Sequence, residues 1–156
     1  MELARYVNGA FGFEASALGA HLRRSKGLAF VLQLLYEGEA PLQRIGLMVL
    51  SNLVSDAFDP RSAETKKQVH HAGVFERIKD FVYSIDGVAQ TYACACLQNL
   101  CKDIRFAKLL RSYELVEELD NAHVARELLA VLRRGDLRAA VDRGDDVHDI
   151  RLPSVR

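Results

Sequence analysis

Three cysteines, Cys94, Cys96 and Cys101, crowd into one apolar stretch and are, by residue type, the side chains best suited to metal or redox chemistry. Helical spacing puts Cys94 and Cys101 on one face and turns Cys96 away. A tetrahedral metal site needs a fourth ligand, and the neighbouring sequence nominates none. Cysteines on one helix are also poorly placed to bridge one another. They are therefore expected to be buried free thiols packing as small hydrophobes. Redox sensing through Cys96 or Cys101 would require an exposed thiolate. His70 and His71 are adjacent on a short helical stretch, so their rings point in different directions and suit surface or capping roles. His21, His123 and His148 have no acid, base or nucleophile at a telling spacing. Glycine-rich phosphate loops, His-Glu-x-x-His and Gly-x-Ser-x-Gly are all absent. These residues predict no enzyme, no metal and no cofactor.

Recognition chemistry is a better match to two asparagines. Residues 41–53 align without a gap on residues 88–100, placing Gln43 on Gln90, Gly46 on Ala93, Leu50 on Leu97, Asn52 on Asn99 and Leu53 on Leu100. A primary amide offers both a donor and an acceptor, which suits a peptide backbone that offers both. The competing use of each asparagine is a bond to a carbonyl at its own helix end.

The elements that would carry these residues are helices. Residues 14–26 read as a helix with a basic last turn, where cations complement exposed carbonyls, and Gly27 as its stop. Residues 28–36 are almost wholly apolar, which predicts an inner helix buried on several sides. Pro41 is well placed to open the next helix, 41–54. A loop follows over 56–63, then a short polar helix over 64–72 closed by Gly73. Apolar residues at helical spacing on both sides of a break at 84–87 predict two helices folded back on each other. A poorer copy follows in 104–112, 115–119 and 124–134. Arg23-Arg24 and Arg133-Arg134 read as solvated helix ends. The expected organisation is an extension over 1–13, units at about 14–56, 64–103 and 104–135, a capping helix over 136–143 and a tail over 144–156.

Three-helix units with a glycine before the second helix, and a third helix ending in small-x-x-small-Leu-x-Asn-Leu, resemble the armadillo repeat. The endings here are Gly46 to Leu53 and Ala93 to Leu100. The resemblance implies an all-α fold, a right-handed α-solenoid of about three units, in which no unit buries its apolar faces alone. It further implies that the third helices line a concave groove taking an extended peptide. Arg44, Met48 and Asn52 would form one ladder along it and Thr91, Ala95 and Asn99 another, with Lys102 beyond. The import-type groove carries tryptophan, and this chain has none, so recognition of a basic import signal by that mechanism is not expected.

Composition narrows the partners. Lys plus Arg and Asp plus Glu number 21 each across 156 residues, so no net field recruits nucleic acid or an anionic membrane. Nucleic-acid binding through the basic helix ends is the alternative this balance disfavours. No apolar run approaches membrane-spanning length, and the first residues lack the pattern of a signal peptide. With an odd number of cysteines, the expectation is a protein-binding scaffold or assembly subunit in a reducing compartment, intracellular and most simply cytoplasmic, with import into an organelle left open.

Overall fold

The computed structural model describes residues 13–112, and every regular element among them is helical. In order these are α1 (Phe13–Arg24), α2 (Gly27–Leu34), α3 (Ala40–Leu53), α4 (Ser62–Ala72), α5 (Phe75–Asp80) with a 3-10 turn (Phe81–Tyr83), α6 (Gly87–Leu100) and α7 (Ile104–Ser112). The chain divides into two compact units, Met1–Asn99 and Leu100–Arg156. The segments expected at 115–119, 124–134, 136–143 and 144–156 lie outside the described residues, as does most of the extension over 1–13.

Helix boundaries follow local chemistry. Pro41 sits in the first turn of α3, where its missing N–H costs nothing. Gly73 ends α4 with φ 66°, the left-handed conformation that a side chain would oppose. Asp86 caps α6, its Oδ1 accepting from the N–H groups of Val88 at 3.1 Å and Ala89 at 3.3 Å. Gly27 departs from the sequence expectation: it is the first residue of α2, because the chain turns at Ser25 and Lys26 and re-enters a helix at once.

In the first unit, α1 packs on α2, α2 on α3 and α1 on α4. Val31, Leu35, Leu47, Leu50, Val54, Ile78 and Leu97 are fully buried at its core. Gly46 sets the approach of α2 to α3. A Cβ there would stand 3.0 Å from Leu34 Cβ, 3.1 Å from Leu35 Cδ2 and 3.3 Å from the Val31 carbonyl. The all-round burial expected for residues 28–36 is corrected: Phe30 is 56% and Tyr36 60% exposed, because α1 and α3 cover one side of α2 and leave the other open. The second half of α6 is the more enclosed helix, with Ala93, Cys94, Cys96, Leu97 and Leu100 all buried.

Of the second unit the structure describes the segment to Ser112. Asp103 caps α7 through the Arg105 N–H at 3.0 Å, and Phe106, Ala107 and Leu110 form a buried stripe at helical spacing.

The two sequence copies do matching work. Gln43 in α3 donates its amide to the Glu37 carbonyl, just beyond α2. Gln90 in α6 donates to the Val82 carbonyl, just beyond α5, at 2.7 Å. Each glutamine thereby satisfies a carbonyl at the end of the preceding helical segment.

Candidate functional site

Three arginines make bonds across the same sequence separation. Arg23 of α1 donates to Thr65 Oγ1 of α4 at 2.9 Å, Arg44 of α3 to Asp86 at the head of α6 at 2.5 Å, and Arg77 of α5 to the Leu35 carbonyl after α2 at 2.8 Å, each over 42 residues. Arg77 also lies over the rings of Phe81 at 4.5 Å and Tyr36 at 5.8 Å, a cation–π arrangement that holds its plane.

The asparagine pair behaves asymmetrically. Asn99 Nδ2 donates to the Ser51 carbonyl at 3.3 Å. That carbonyl lies in the last turn of α3, where backbone acceptors lose their intrahelical partners. Asn99 thus caps the neighbouring helix. This bond is a third use of the amide, beside the peptide clamp and the cap on its own helix inferred from sequence. Asn52, its aligned counterpart, is half-buried, and its side-chain amide makes no hydrogen bond among the described residues.

The other groove candidates are distributed unevenly. Arg44 is largely exposed but committed to Asp86, whose carboxyl it holds below the usual range. Thr91 is exposed and donates its hydroxyl to the Gly87 carbonyl one turn back, at 2.7 Å. Met48 and Ala95 are partly covered. Lys102 is exposed and falls in the second unit. Within the first unit the structure brings Arg44 to the head of α6 and Asn99 to the last turn of α3, the turn that also holds Asn52.

The chemistry-bearing residues behave as follows. Cys94, Cys96 and Cys101 are all buried and outside any disulfide, including Cys96, which the helical spacing turns away from the other two. Burial pushes the Cys94 thiol up to about 11, so it is not a thiolate near neutral pH. His70 and His71 are exposed, their rings 6.2 Å apart and 81° to one another, and His71 Nδ1 meets the Lys67 carbonyl at 2.7 Å. No three His, Cys, Asp or Glu side chains gather as metal ligands among the described residues.

One polar cluster was not legible beforehand. Arg23, expected as a solvated helix end, has its side chain only 4% exposed, whereas Arg24 beside it is in solvent. Its Nη1 contacts Asp59 Oδ2 at 2.5 Å, and Asp59 is fully buried and accepts from the Arg61 N–H at 2.9 Å. Gly19 makes room for this carboxylate, since a Cβ there would lie 2.1 Å from Asp59 Oδ2. The partners are 36 residues apart, so no local pattern marks them. Asp86, by contrast, had a readable signal: an aspartate just ahead of an apolar-periodic segment is a standard cap.

Comparison with known proteins gives no match to a family model, a curated protein or a solved structure. Among the described residues no helix is long and apolar enough to cross a membrane.

Proposed function

We infer that the chain is a non-enzymatic protein-interaction module built as a short right-handed stack of armadillo-like three-helix units. The observation that carries this reading is the paired geometry of the two copies. Gln43 and Gln90 satisfy equivalent carbonyls, and bonds run from α1 to α4, from α5 to the end of α2 and between α3 and α6. Repeated units joined helix to matching helix present their third helices side by side, which favours an elongated binding surface over a closed pocket.

On this reading a partner lies along the α3–α6 face as an extended segment. Asn52 supplies the amide that reads its backbone, and Met48, Ala95 and Thr91 supply contact around it. Asn99 serves the stack, and Arg44 shapes the head of the groove through Asp86. So short a groove holds few peptide residues, and modest affinity or membership of a larger assembly follows.

The test is capture of partners from native extract by the parent chain and by Asn52→Ala, with mass spectrometry as the readout. Loss of a discrete partner by the variant, at unchanged stability, supports the groove. Retention of the same stoichiometric set by both forms means that other faces bind and the chain is a building block. Turnover abolished by one point substitution would overturn the non-enzymatic reading.

A further inference from the structure

Arg23 is half spent. Its Nη1 is taken by Asp59 and Thr65, but Nε and Nη2, which share the opposite edge of the guanidinium, are buried without a hydrogen-bond partner. That edge is the one that grips two-oxygen anions side-on. Nε looks toward Glu64 in the first turn of α4, an 11-residue helix that starts at Ser62, whose N-cap residue Arg61 makes no side-chain cap bond and whose Ser62 N–H goes to the Asp59 carbonyl at 2.8 Å. Glu64 Oε2 stands 3.5 Å from Arg23 Nε, too far for a good hydrogen bond. Glu64 is held instead by Arg61 at 2.7 Å and is half exposed, so its side chain can swing out without disturbing the core.

We propose that the Arg23 edge, Arg61 and the N-terminus of α4 form a binding site for a phosphate or carboxylate oxyanion, whose place the Glu64 carboxylate holds in this structure. Three positive contributions converge there: a desolvated guanidinium, a second guanidinium at the rim and the helix dipole. The opposing charges are also defined. Asp59 lies against Nη1 and is already balanced by Arg23 and the Arg61 N–H. Glu64 is the mobile competitor, its carboxyl held below the usual range chiefly by its hydrogen bond to Arg61. The fold has already borne the cost of burying Arg23, so an anion that reaches Nε and Nη2 gains two charge-assisted bonds. The site lies between α1 and α4, shares no residue with the proposed groove and does not depend on it.

The experiment follows the Arg23 Nε–Hε resonance in the full chain during titration with inorganic phosphate, with sodium acetate, and with sodium chloride at matched ionic strength. A saturable shift with phosphate alone assigns the site to phosphoryl groups, and one with acetate as well assigns it to oxyanions including carboxylates. Glu64→Gln, at a half-exposed position, should fold normally and tighten binding about fivefold, the scale of one exposed ion pair. Arg61→Gln should weaken it. Equal responses to chloride and phosphate, no response in either the parent or Glu64→Gln, or an affinity indifferent to both substitutions would each overturn the proposal.

Discussion

Asp86 illustrates how much one side chain can organise. It caps α6 with one oxygen and receives Arg44 with the other, so the head of one helix is tied to the flank of another. The hydrogen bond from Arg44 holds its carboxyl below the ordinary value of 3.8. A depressed acid stabilises the fold fully above its unfolded value, and that contribution is lost as pH falls through the lower folded value. Asp86→Asn should therefore lower stability at neutral pH, where the charged carboxylate contributes fully, and flatten the acid limb so that the deficit fades as pH falls below about 4, as urea titrations across that range would read. The cysteines yield a second prediction at this scale. All three are buried, and burial pushes Cys94 to about 11, so native labelling by a thiol reagent at pH 8 should be slow and should accelerate sharply on unfolding. Rapid modification of one thiol in the native state would reopen redox chemistry.

Helix pairs are positioned by glycines and by amides that close helix ends. Gly46→Ala gains helix propensity of about 1 kcal/mol. It also places a methyl 3.0 Å from Leu34 Cβ and 3.3 Å from the Val31 carbonyl, atoms fixed to the α2 backbone. Overpacking costs about 1–3 kcal/mol, so the variant should be less stable despite its better propensity. Gly19→Ala should be worse. Its methyl overlaps the buried Asp59 carboxylate, and displacing that group strands Arg23, at a cost of about 3 kcal/mol or more. Thermal melts of the two variants beside the parent would rank them. Much at this scale was legible from sequence. Pro41, Gly73 and apolar periodicity placed the helices to within a few residues, because caps and breakers act locally. The open face of α2 was not, since burial on every side depends on neighbours that a run of apolar residues does not specify. Nor was the Arg23–Asp59 pair, whose members are brought together only by the packing of α1 on α4.

For the molecule as a whole, Gln43 and Gln90, which align in the copies 41–53 and 88–100, each donate to a carbonyl at the end of the preceding helical segment. Sequence alone did not separate the roles of Asn52 and Asn99. Identical letters in identical register diverge because the Asn99 amide meets the last turn of α3, while the Asn52 amide has no such acceptor among the described residues. On the proposed stacked reading, an asparagine closes the third helix of the unit before its own, as Asn99 does for α3. Equilibrium urea unfolding of Asn52→Ala and Asn99→Ala against the parent tests this most directly. If α3 and α6 are neighbouring third helices clasped by Asn99, its removal should cost about 1 kcal/mol, with Asn52→Ala within about 0.5 kcal/mol of the parent. Equal losses from both substitutions, or none from Asn99→Ala, would contradict the clasp and the stacked arrangement it supports.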